Sequence, residues 1–185
     1  MLLDEIGFYC GRFQHMHLGH ESVVRRGLCF VHKIYIMIGS AQESGTYRNP
    51  YSYEIRKRII EKTFAKEVAE DRIEVCALND LSKDPENPVN INPDWGKYVL
   101  ENIKKCTGGR LPDIMLYGND EARSRWFDKE DIKDVGELIA PRSKIQISAT
   151  KMREYLINDD FENWSKYANP AIHDEFNNLR NELLK

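Results

Sequence analysis

The sequence predicts an α/β fold, a doubly wound parallel sheet with a helical C-terminal segment. Short apolar runs alternate with longer amphipathic ones along the whole chain. The short runs are apolar at nearly every position, as strands covered on both faces are. No internal repeat, low-complexity tract or linker breaks the 185 residues, so residues 1–185 read as one domain, with 151–185 mostly helical. In this fold class, ligands bind in the crevice beyond the C-terminal ends of the strands.

The elements follow in order. Residues 6–10, IGFYC, read as the first strand and 21–30 as a helix; KIYIMIGS, 33–40, is a second strand. After the polar loop AQESGTYRNPYS, a helix starts near Ser52, with Ile55, Ile59, Ile60 and Phe64 on one face. RIEVCAL, 72–78, is a third strand. Residues 79–93 form a long Pro/Asn/Asp loop of the kind that compact domains keep for function. Asp94 caps a helix running to Lys105, and 113–119 and 135–141 are the last two strands. ISATKMREYL, 147–156, opens another helix, and a final one runs from Pro170 with Ile172, Phe176, Leu179 and Leu183 on one stripe.

Composition narrows the function. Lys and Arg number 27 against 30 Asp and Glu, for a formal net charge of -3, which is no footprint for nucleic acid or an anionic membrane. Cys10, Cys29, Cys76 and Cys106 are widely spaced without a Cys-x-x-Cys pair, so reduced, mostly buried thiols are expected rather than disulfides or zinc. The N-terminal residues lack a signal-peptide pattern and no apolar run reaches membrane-spanning length; a cytoplasmic protein is expected.

The densest chemistry lies in GRFQHMHLGH, residues 11–20, where three of the five histidines fall at the end of the first strand. Gly19 allows close backbone approach, and His17 and His20 are three apart across a helix entry, so both imidazoles can address one small volume. Two imidazoles over a helix N-terminus suit a phosphate. A pair of surface histidines, or a two-histidine metal site, would give the same spacing. A second cluster resembles the first. Ser148 and Thr150 offer hydroxyls at the start of the 147–156 helix, while Lys151 and Arg153 place positive charge where the helix dipole disfavours it unless an anion binds. Lys151 stands where a capping box would have Glu. An ordinary Ser/Thr cap with solvated bases is the alternative for that segment alone.

GRFQ with HLGH near the N-terminus and ISATKMR near the C-terminus resemble the two signatures of the nucleotidylyltransferase superfamily. The block IGSAQESGTYRNPYSYEIRKRII, 38–60, is similar to the nicotinamide-nucleotide (NMN) adenylyltransferases of archaeal type, and the likeness spans residues 6–160. It implies a Rossmann-like nucleotidylyltransferase fold that transfers AMP from ATP to nicotinamide mononucleotide by direct in-line attack, giving NAD and pyrophosphate. By that likeness His17 and His20 hold the ATP phosphates and stabilise the reacting centre; Gly11, Arg12, Phe13, Gln14 and Gly19 belong to the same ATP-binding loop. Ser148, Thr150 and Arg153 hold the leaving β- and γ-phosphates, Gly118 passes near the adenosine, and His17, His20, Arg48 and Arg153 are catalytic. Ser40, Gln42, Arg48, Asn49, Asp80 and Trp95 match the mononucleotide side, with Arg48 bringing its phosphate and Trp95 against the pyridine ring. Arg56 stands open between a functional and a solvated role. No residue is expected to ligate metal; Mg²⁺ comes with the ATP phosphates, and a homo-oligomer is expected. Relatives carry Pro and a bulky residue where this chain has His15-Met16, so His15 reads as an added phosphate contact or a pH-sensitive neighbour. Other phosphate acceptors (nicotinate mononucleotide, phosphopantetheine, glycerol phosphate), a non-catalytic ATP or NAD sensor, and a class I aminoacyl-tRNA synthetase fragment are the alternatives, the last disfavoured by the chain's length and lack of basic excess.

Overall fold

A computed structural model describes residues 5–81, 94–118, 126–141 and 145–185. Five parallel strands form one sheet in the order β3-β2-β1-β4-β5. They are β1 (Ile6–Gly11), β2 (Lys33–Ile38), β3 (Ile73–Ala77), β4 (Ile114–Gly118) and β5 (Gly136–Ala140). β1 lies at the centre, paired with β2 from Ile6↔Lys33 to Gly11↔Ile38 and with β4 from Gly7↔Ile114 to Tyr9↔Leu116. The chain winds outward through β2 and β3, then returns to the other side of β1 with β4. That reversal opens a crevice beyond the ends of β1 and β4.

The period of two along each strand divides the interior between two layers. Tyr9, Ile34, Ile36, Ile38 and Leu116 face a core built with α1 (Leu18–Gly27), α2 (Tyr53–Thr63), α5 (Ala149–Ile157), α6 (Phe161–Ser165) and α7 (Phe176–Leu183). Phe8, Cys10, Tyr35, Met37, Met115 and Tyr117 face a second core, closed by Trp95, Val99, Leu100 and Ile103 of α4 (Asp94–Cys106). Both faces of the central strands are therefore covered, which explains their near-continuous apolar runs, while edge strand β5 is mostly exposed. Among the described residues no helix is long and apolar enough to cross a membrane.

Several boundaries differ from the sequence expectation. The first helix starts at Leu18 rather than 21 and ends at Gly27 rather than 30, because His17 caps it and the chain then turns tightly into β2. Asp94 is the first residue of α4 rather than its cap. The final helix is interrupted: Pro170–Glu175 is a 3₁₀ segment capped by Asn169, and α7 follows it. The short α3 (Ala65–Ala69) and α6 lack enough turns to show a periodic stripe. The cysteines are free thiols, with Cys10 and Cys76 buried and Cys29 exposed. Most of the 79–93 loop lies outside the described residues.

Gly96 sits where α4 meets the Trp126 backbone, and a Cβ there would fall 2.0 Å from the Trp126 carbonyl oxygen. Backbone cannot yield as a side-chain tip can, so Gly96→Ala should destabilise the protein by about 3 kcal/mol, at the upper end of overpacking costs. Gly136→Ala, whose Cβ would meet nothing nearer than 3.5 Å, should cost well under half of that in the same denaturant titration.

Candidate active site

The crevice is framed by the loop after β1, the loop after β2 and the start of α5. His17 is the N-cap of α1, and its Nδ1 accepts the Gly19 N–H at 3.1 Å. An Nδ1 that accepts carries no proton, so in neutral His17 the proton sits on Nε2, which becomes a donor. His20 stands one turn into α1, with ring centroids 3.8 Å apart. The two imidazoles thus share one small volume, as their spacing suggests. A Cβ at Gly19 would lie 2.9 Å from the His17 ring, so glycine there leaves space for the cap.

The helix end itself is less open than the sequence suggests. The Leu18 N–H is taken by the Tyr167 carbonyl at 2.9 Å and the Gly19 N–H by His17. An anion in the crevice would therefore meet imidazole and guanidinium groups more than α1 backbone. At α5, Ser148 is the N-cap and accepts the Lys151 N–H at 3.1 Å, with no acid in the first turn. The Ala149 and Thr150 N–H groups have no intrahelical acceptor by position. Thr150 is exposed, and Lys151 pairs with Glu154 at 2.9 Å. The two helix starts lie side by side: Ile147 comes within 3.9 Å of a Cβ built on Gly19.

Three guanidinium groups converge on the crevice. Burial, then the charges of Arg48 and Arg153, lower the Arg12 pKa, with Asp80 and Glu43 opposing. Arg12 reaches the Arg48 carbonyl at 3.5 Å, and Arg153 donates to the Gln14 carbonyl. Like charges gathered this way are stabilised by a polyanion. Arg48 sits at the exposed tip of a turn held by Thr46 N–H to Asn49 O at 3.3 Å.

Other expected site residues make contacts within the protein. Gln14 is buried; its amide bonds both backbone groups of Tyr51, at 3.0 and 3.1 Å, so its side chain fastens loops. Asn49 is buried too, donating to Glu43 at 2.6 Å and accepting from Gln14 at 3.4 Å. Phe13, with a left-handed φ of 48°, lays its ring edge-on to His20 at 5.2 Å; Gly11 makes room for that ring. Ser40 also has φ 48° and is buried. Gln42 accepts the Asp80 N–H at 3.1 Å, joining the 40s loop to the segment after β3. Gly118 closes β4 at the crevice, and residues 119 and 120 lie outside the described residues. Trp95 is buried in the second core beside Tyr98 and Trp126, with ring centroids 5.6 and 5.9 Å away, so it packs α4.

Arg56 is neither solvated nor open to a ligand. It is 2 % exposed and donates to the carbonyls of Arg12 at 2.9 Å, Gly39 at 2.8 Å, Ser40 at 3.0 Å and Ser52 at 3.2 Å. Burial brings its pKa down to about 10. His15 is likewise no phosphate contact. It is 2 % exposed; its Nε2 accepts the Trp164 indole N–H at 3.0 Å, which leaves Nδ1–H to the Met16 carbonyl. Neither tie has a local sequence signal, since the partners are 44 and 149 residues apart.

The cytidylyltransferase-like family model matches residues 8–155, and the chain belongs to that family. The nicotinamide-nucleotide adenylyltransferase of Saccharolobus solfataricus is 34 % identical over 169 residues, covering 90 % of this chain and 87 % of that protein. The enzyme of the same name from Archaeoglobus fulgidus is 27 % identical, covering 89 % and 86 %. Among solved structures, the bifunctional NMN adenylyltransferase/ADP ribose pyrophosphatase of Francisella tularensis, complexed with AMP and a manganese ion, superposes with a TM-score of 0.71 at 20 % identity. That match covers 98 % of this chain and 52 % of the bifunctional protein, and it bears on the fold alone.

His15 gives the site's neighbourhood a pH dependence. Burial, the leading cause, holds its pKa near 4, below the unfolded value of 6.5. Between those values the unfolded chain binds a proton that the folded chain refuses, so stability falls as pH drops from about 6.5 to 4, by about 3 kcal/mol. Denaturant midpoints measured across that window should decline for the wild type and flatten for His15→Phe. Parallel curves would show that His15 is not the group responsible.

Proposed function

We propose that this member of the cytidylyltransferase-like family is a nicotinamide-nucleotide adenylyltransferase, moving AMP from ATP to nicotinamide mononucleotide with release of pyrophosphate. The observation that carries it is the placement of His17, His20, Arg12, Arg48 and Arg153 around one crevice, in a chain 34 % identical to an enzyme of that name over nearly its full length.

The mononucleotide's 5′-phosphate oxygen attacks the α-phosphorus of ATP, and the bond to the bridging oxygen of the β-phosphate breaks. No side chain becomes covalently attached. The protein's work is therefore positioning and charge stabilisation. Arg153, with Ser148 and Thr150 at the start of α5, suits the β- and γ-phosphates. His17, donating from Nε2, and His20 suit the oxygens of the transferring phosphorus. Arg48 on its exposed turn suits the incoming phosphate, because a guanidinium fork matches two phosphate oxygens. Trp95 would reach the pyridine ring only where α4 opens toward the crevice. Asn49 and Gln14 serve by holding the Arg48 turn.

Among the described residues no group of three or more acidic, histidine or cysteine side chains could hold a metal ion. A Mg²⁺ ion brought by the triphosphate would offset charge on the phosphate oxygens.

Purified protein incubated with ATP, Mg²⁺ and nicotinamide mononucleotide should yield NAD and equal pyrophosphate by chromatography. Product from nicotinate mononucleotide or phosphopantetheine instead would replace the acceptor, and no pyrophosphate with any acceptor would defeat the reading. His20→Ala should lower kcat about 100-fold or more while leaving the KM for ATP within a few-fold, because its contribution arises mainly in the transition state. Equal losses in both would reduce His20 to a ground-state phosphate ligand.

A further inference from the structure

Residues 164–169 lie beyond the matched family region, yet they grip the first-signature segment at three points that bracket its two histidines. The Trp164 indole N–H donates to His15 Nε2 at 3.0 Å, two residues before His17. The Tyr167 carbonyl accepts the Leu18 N–H at 2.9 Å, one residue after His17. The Asn169 amide donates to both carboxylate oxygens of Glu21 at 3.0 Å, one residue after His20.

Each contact has a fixed geometry. Trp164 is fully buried among Phe161, His173 and Phe176, so its N–H has one direction. His15 offers Nε2 because its other nitrogen is taken by the Met16 carbonyl. Asn169 Oδ1 caps the 3₁₀ segment through the Ala171 N–H at 2.9 Å, which turns its amide nitrogen toward Glu21. Glu21 is 8 % exposed and also bonds Arg25 at 2.7 Å, so its carboxylate is held from two sides. On the opposite flank, Gln14 is tied to Tyr51, and its carbonyl to Arg153.

We propose that residues 164–169 are a clamp that sets the position of His17 and His20, with Trp164 and Asn169 as positioning residues for the adenylyl transfer. This rests on the reaction proposed above. The clamp touches no phosphate site directly, so its loss acts through the imidazoles: the histidines drift relative to the arginines, and the transition state suffers more than ground-state ATP binding. His15 supplies one half of the first contact.

Trp164→Phe keeps an aromatic ring and removes the N–H; Asn169→Ser keeps a capping oxygen and loses the reach to Glu21. Assayed well below each variant's Tm, both should lower kcat about tenfold, as small displacements of reacting groups do, with the KM for ATP within twofold. The imidazole ¹H–¹⁵N resonances of His17 and His20 should shift in both variants. The double variant His15→Phe/Trp164→Phe should lose less than the product of the single losses, because the two residues share one contact. A lowered Tm with unchanged kcat and unshifted imidazole resonances would overturn the proposal and leave a purely structural segment. If the wild-type protein makes no dinucleotide, it is the reaction that has failed. The resonances then decide the clamp: shifted signals support it, and unshifted ones refute it.

Discussion

One buried guanidinium holds the crevice together. Arg56 rises from α2 into the space between the ends of β1 and β2 and there bonds the carbonyls of Arg12, Gly39 and Ser40. Those carbonyls belong to two loops that both bend sharply, with Phe13 and Ser40 in left-handed conformations. Loops so bent present carbonyls inward, and buried carbonyls need donors. A guanidinium supplies several in one plane, and lysine could not match that fork. The same residue bonds the Ser52 carbonyl at the start of its own helix, so α2 and both loops are tied together. Arg12 takes its place from this arrangement and reaches across to the Arg48 carbonyl.

Rigid loops matter because the chemistry offers no nucleophile of its own. Where two phosphates must meet, the barrier is lowered by holding them in line and matching charge as it redistributes. The crevice has the parts for that: imidazoles in contact, one with its proton placed by a backbone N–H, and an Arg12 whose proton affinity is lowered by burial and by the charges of Arg48 and Arg153. A triphosphate placed there would be attracted by the same guanidinium groups that align it. Affinity and alignment then share one electrostatic origin.

Much of this was legible in the sequence, and the exceptions share a cause. The central strands showed themselves because both faces are covered, and the starts of α2 and α5 because Ser52 and Ser148 are strong caps. The residues proposed to face the phosphates fall in short motifs whose spacing reflects helix geometry. Roles read for Gln14, Asn49 and Trp95 were harder, since a motif residue can serve a site by holding its frame. Nothing near Arg56 or His15 in the chain announces their partners, because those are backbone carbonyls and a distant indole. The first helix was placed three residues too late for a related reason: a histidine cap that accepts through Nδ1 is not among the usual capping residues.

The stereochemical course at the α-phosphorus would test direct transfer most simply. ATP carrying sulfur at that phosphorus in one known configuration would be turned over with nicotinamide mononucleotide, and the configuration of the dinucleotide product determined. Inversion is predicted, as a single in-line displacement requires. Retention would demand two displacements and a nucleotidylated side chain, and would contradict a mechanism built on positioning alone.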